Sequence, residues 1–170
     1  MYIGSAPEFV AYWKGVRQRT WRAIELVRAD DLEWTPASGR WTIGDLIRHL
    51  AGIERDMYAE NVMGRPSRYP GHDRELADGV DAVRGYHTSK HEEALAIFAS
   101  LTSEQLAGPC MTPAGTPITT WKWLRAMIEH EAHHRGQLYM MLGMRGVSVP
   151  PLYGLTEEEV RARSSAGAVP

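Results

Sequence analysis

The stretch from Ile128 to Leu142, IEHEAHHRGQLYMML, gathers His130, His133 and His134 around Glu131. Two histidines four positions apart stand one turn apart on the same side of a helix, so their imidazoles can converge on one ion. The five residues HEAHH also fit the H-E-x-x-H pattern of zinc peptidases, in which Glu131 would act as general base. That reading needs a third ligand further along the chain. No histidine follows His134, and Glu157, Glu158 and Glu159 lie beyond the Pro150-Pro151 break in a short acidic segment. No strand edge is expected that could hold an extended peptide. The peptidase reading is therefore set aside in favour of a metal helix of another kind.

Steps of three and four from Trp123 pass through Met127, His130, His134, Leu138 and Met141, so both histidines interrupt the apolar stripe of their helix. His49 does the same beside Leu46, Ile53 and Met57. A buried imidazole loses roughly 1 to 3 kcal/mol for each ring nitrogen left without a partner. A divalent metal removes the problem, because each ring gives one nitrogen to the ion and its other N–H to an acceptor. Asp45, one turn before His49, and Glu54 or Glu131 are candidate acceptors. Three imidazoles leave a coordination position open for water or substrate, as catalytic sites do. The competing reading is a set of core histidines hydrogen-bonded to backbone or carboxylate.

Other residues carry less. His87 and His91 form a second pair four apart, but Lys90, Glu92 and Glu93 surround them and a solvated face is expected. His72 stands alone in a loop and gives no signal. His133 points about 100° away from His134 and is read as supporting or packing. Gln137 falls on or beside the ligand stripe and could orient a bound group. Arg135 is expected to bridge helices and Gly136 to permit close packing. Tyr58, Trp121 and Trp123 could line a pocket mouth, although core positions suit them better.

Four helices must position these groups. The first opens at Ser5 and Pro7 and should end near Asp30; the second opens at Thr42, with Asp45 completing a capping box, and runs to Gly64. Residues 65–78, with Pro66, Pro70 and Gly71, read as a long crossing loop. A third helix runs from Asp78 or Gly79 to Leu101. After a Gly-, Pro- and Thr-rich loop, the fourth starts at Thr119 or Thr120, reaches Leu142 and stops at Gly143 or Gly146. Prolines break the tail, and Thr156 with Glu159 can cap one last short turn. No strand is expected. The 170 residues suit one all-α domain, with a four-helix-bundle core over about 5–145 and a C-terminal tail over 146–170.

A formal charge of -2 argues against nucleic acid as a partner. Cys110 is the single cysteine, which excludes an intrachain disulfide and fits a reducing cytoplasm. No apolar run is long enough for a membrane span, and the start of the chain does not read as a signal peptide.

The string HEAHHRGQL closely resembles the fourth-helix signature of the DinB and YfiT-like family, and WTIGDLIRHLAGIERDMY resembles its second helix. The likeness covers about residues 5–145. It implies a DinB-like four-helix bundle with a long crossover between helices 2 and 3 and a divalent metal on His49, His130 and His134. Zinc and nickel are the first expectations for that metal. The resemblance further implies a metal-dependent transferase that joins a low-molecular-weight thiol, such as bacillithiol or mycothiol, to a small-molecule electrophile. A metal-dependent hydrolase and a metal- or ligand-binding bundle without catalysis are the alternatives. It implies a homodimer and no DNA binding.

Overall fold

Helix α1 (Ala6–Ile24) begins at Ser5 with Pro7 in its first turn, although the Ser5 hydroxyl makes no capping bond. It stops short of Asp30. A tight turn and a 3-10 segment at Ala29–Asp31 follow, because the Asp31 carboxylate turns inward to accept from Arg28 Nε at 2.5 Å and Arg145 Nε at 2.6 Å. In this computed structural model residues 2–166 are described; Met1 and the last four residues of the expected tail lie outside them.

Helix α2 (Ile43–Ile53) opens on the expected capping box, with Asp45 N donating to Thr42 Oγ1 and Thr42 N to Asp45 Oδ2. It runs directly into a π-helical stretch, Glu54–Tyr58, and then α3 (Ala59–Val62). The crossing loop follows, with a 3-10 turn at Arg74–Leu76, and α4 (Val80–Ala99) completes the third rod. Two short features depart from expectation. Thr102 and Gln105 form a capping box for α5 (Ser103–Ala107), and β1 (Pro109–Met111) pairs antiparallel with β2 (Pro117–Thr119). Three-residue strands show no alternation long enough to read. Helix α6 (Thr120–Met144) extends past Gly143 and ends where Gly146 takes φ +72. Thr156 caps α7 (Glu157–Ala166), longer than the single turn expected.

Helices α1, α2 with its continuation, α4 and α6 form the bundle, and its core is split in two. Phe9, Trp13, Val16, Tyr58, Phe98, Leu124 and Met127 fill one end. Ile24, Ile43, Leu46, Ile47, Val83, Leu138 and Leu142 fill the other. Between them every rod contributes buried polar groups: Arg17 and Thr20 from α1, His49 and Glu54 from the second rod, His87 from α4, and Glu131, His134 and Arg135 from α6. Burying such a layer is tolerable only where partners are supplied. None of the described helices is long and apolar enough to cross a membrane.

Candidate metal centre

The layer resolves into two polar centres, and the first is the imidazole cluster. His49 Nε2 and His134 Nε2 each lie 3.0 Å from His130 Nε2. The three ligand atoms fall within 4.8 Å of one another. His134 has its Nδ1–H committed to the Gln137 carbonyl oxygen at 2.7 Å, which leaves its Nε2 lone pair facing inward. His49 has Nδ1 against the Tyr69 hydroxyl at 2.6 Å; with the proton on Nδ1 its Nε2 is also a bare acceptor. A proton on His130 Nε2 can satisfy only one of the two lone pairs aimed at it. A small divalent cation satisfies all three: bonds of about 2.0 to 2.1 Å put neighbouring nitrogens about 3.0 to 3.4 Å apart. The donor set therefore fits a metal ion.

Electrostatics point the same way. Burial, reinforced by the neighbouring rings of His130, His134 and His72, pushes His49 down to about 3. Burial together with His134 and His133 pushes His130 down to about 4. His134 is lowered as well, mainly by burial. The rings are thus held neutral, the form that ligates metal. Tyr69 is raised to about 12 by burial, so its phenol stays protonated beside His49.

The loop and the segment before α2 finish the site. Trp41 packs on the cluster, its ring 4.7 Å from that of His49 and stacked at 5.7 Å on His134. The ring of His72 lies tilted against the same indole, 4.3 Å away, and 6.3 Å from that of His49. Tyr69 and His72 belong to the crossing loop, which an ionic clamp ties down. Buried Glu60 receives Arg55, Arg65 at 2.7 Å and Arg68 at 2.8 Å, and Arg68 N donates to Asp56 O at 2.7 Å.

Several expectations need correction. Asp45 does not support His49: it caps α2 and pairs with Arg48 at 3.2 Å. Glu131 and Glu54 turn away from the cluster toward the second polar centre, where Arg17 meets Glu131 at 2.8 Å and Glu54 at 3.0 Å. Trp13 Nε1 donates to Glu54 at 2.6 Å. His91 Nδ1 joins the same carboxylate at 2.8 Å, and His87 is buried and stacked on Trp21, so this pair is not a solvated face. The charged neighbours misled because each successive residue turns by about 100° and points elsewhere. His72 is part of the site surroundings rather than silent. Gly136 is exposed, and a Cβ there would meet nothing, so it serves no close packing.

Other expectations fall where the sequence put them. Buried Arg135 donates to Val16 O at 3.4 Å, bridging α6 to α1. Exposed His133 accepts from Gln137 Nε2 at 3.1 Å, which holds the amide that orients His134. Tyr58 is a core residue whose ring lies 4.7 Å from Trp123 and 6.1 Å from His130. Tyr69, Trp41 and His72 were not foreseen. The one available signal was an aromatic residue placed just before Pro70, where the backbone is biased to extended geometry.

Comparison with known proteins adds a lineage. The DinB superfamily profile matches residues 12–138. YjoA of Bacillus subtilis is 25% identical over 149 residues, 86% of this chain and 94% of that protein. The crystal structure of a DinB-like protein from Bacillus cereus ATCC 10987 superposes with a TM-score of 0.74 at 18% identity, covering 89% of this chain and 99% of the other. Bacillus subtilis YfiT, described as "a probable metal-dependent hydrolase with an unusual four-helix bundle topology", gives 0.66 at 17% identity over 84% of this chain and 89% of its own.

Proposed function

The chain belongs to the DinB superfamily, and from that premise we propose that it is a metal-dependent enzyme in which His49, His130 and His134 hold a divalent ion and a small thiol is joined to an electrophile. The observation that carries this reading is the convergence of three Nε2 atoms, those of His49 and His134 each lying 3.0 Å from that of His130. When bound, the ion supplies Lewis acidity that lowers the pKa of a thiol or water sharing the site. Zinc and nickel both suit imidazole donors.

The chain's own residues set the geometry. Tyr69 and Gln137 fix the tautomers and ring orientations of His49 and His134. Trp41 covers one side of the cluster. The carboxylates near the ligands in sequence are committed elsewhere, Glu131 to Arg17 and Asp45 to Arg48. That arrangement favours a thiol over water as nucleophile, because a thiol near pKa 8.5 needs far less help to ionise. In the transfer the sulfur forms a bond to an electrophilic carbon, the leaving group departs with the bonding pair, and the thiol proton passes to solvent.

The test is loss of free thiol in the presence of an electrophile panel, with bacillithiol and mycothiol as donors and metal-loaded protein as catalyst. Wild type should exceed background and His130→Ala should not. Equal rates for the two proteins would overturn the transfer reading. Hydrolysis of an ester or amide panel without thiol, lost in His130→Ala, would replace it with the reaction named for YfiT.

A further inference from the structure

Beside the imidazole cluster the fold leaves a cavity of about 640 Å³, within the range of small-molecule sites. One wall is the end of α6, which presents Met140, Met141 and Met144; Leu46 of α2 lines it as well. Trp41 and His134 belong to the same lining, so the cavity's inner end is the rim of the cluster. Its chemistry is uneven. Thioethers and an indole make a soft, polarizable surface that accepts flat apolar groups. Met140 and Met144 keep 65% and 60% exposure, a cost in apolar surface that a bound molecule would remove. Arg40 is the one Lys or Arg among the lining residues, and no carboxylate lines the cavity to neutralise it.

We propose that this cavity is the substrate site, and that the substrate is an amphiphilic small molecule with a flat apolar body and one anionic group. The body lies between Trp41 and the methionine wall, the anion meets Arg40, and the reacting end faces His134. Only the last of these placements rests on the metal-dependent reading above. The cavity explains why a methionine-rich end of α6 is left uncovered beside the cluster.

The test uses two fluorescent probes on the full chain: 8-anilinonaphthalene-1-sulfonate, and N-phenyl-1-naphthylamine, which has the same rings without the sulfonate. Wild type should show one saturable site for each. Arg40→Gln should weaken the sulfonate probe about fivefold or more and leave the neutral one unchanged, as expected for one charge-assisted contact. Met144→Asp, at an exposed position that should not disturb folding, should weaken both probes about tenfold or more by charging the apolar wall. Equal binding by wild type and Met144→Asp would overturn the proposal. So would sedimentation of wild type as a dimer that Met144→Asp dissociates, since a second copy would then be the occupant. A paramagnetic ion, Cu²⁺, added at one equivalent should quench bound probe in wild type but not in His130→Ala, whose altered side chain lies outside the cavity lining. Probe binding without that quenching would sink the metal-dependent reading and the placement of the reacting end, while leaving the cavity as a ligand site. Quenching and metal binding without Arg40 or Met144 dependence would do the reverse.

Discussion

Two helices of this bundle carry histidines four residues apart, and the pairs meet opposite fates. On α6, His130 and His134 turn their Nε2 atoms toward each other and toward His49. On α4, His91 binds the Glu54 carboxylate while His87 stacks on Trp21, so the two rings do different work. The spacing is identical. What differs is the neighbour: a third imidazole with its outer nitrogen occupied by Tyr69 leaves bare lone pairs, whereas a carboxylate beside Arg17 satisfies an N–H outright. Histidine spacing places rings on one face, and the facing helix decides whether they become ligands or, like His91 and His87, a carboxylate partner and a stacked core ring.

The contrast can be broken from either side. The largest effect is expected at the carboxylate centre. Arg17→Met would leave Glu54 and Glu131 buried without their cation, costing roughly 3 to 5 kcal/mol in urea unfolding. Adding Glu54→Gln and Glu131→Gln should restore much of that loss; no recovery would show that Arg17 acts by packing alone. Next comes the imidazole side. His130→Ala should lower zinc or nickel affinity by more than about 100-fold in titration calorimetry, beyond the cost of losing an outer partner, whereas His91→Phe should leave affinity unchanged. Equal losses in the two variants would erase the distinction.

Tyr69→Phe and Gln137→Leu should each cost about 10-fold in metal affinity, by freeing a ring that is now oriented. Another effect concerns pH. His49 and His130, held down to about 3 and about 4, and His87, pushed well below its ordinary value by burial, all protonate more readily in the unfolded chain, near 6.5. The unfolded state therefore binds more protons below that pH. Stability of the metal-free protein should be fully present above about pH 6.5 and fall as pH drops toward 4. A flat profile in chemical denaturation across that window would contradict the burial argument for His49, His130 and His87.

The chain itself discloses the ligand rings because His49, His130 and His134 each break an apolar stripe, and a stripe is a periodic signal. The capping box at Thr42 and Asp45 was equally readable, since it depends only on residues three apart. Tyr69, Trp41 and His72 were hidden because loops have no period, and their position follows from where the crossing segment lands on the bundle. The fate of His87 and His91 was hidden for another reason. Lys90, Glu92 and Glu93 are their neighbours along the chain, but Glu54 and Trp21, on other helices, are their neighbours in space. The split core is not legible either, because the pairing of Arg17 with Glu131 joins residues far apart in the chain.

The π-helical stretch at Glu54–Tyr58 sits between His49 and Glu60 on one rod. A wide turn of this kind holds one residue more than an α-turn would, so it fixes the angular phase between whatever precedes it and whatever follows. His49 needs the loop's phenol, and Glu60 anchors that loop. Removing a single residue there would rotate one end of the rod by about 100° against the other and carry the anchor away from its target. The extra residue acts as a spacer that keeps two ends of a helix in step, and a gap or insertion at this point in a related chain would mark the loss of that timing.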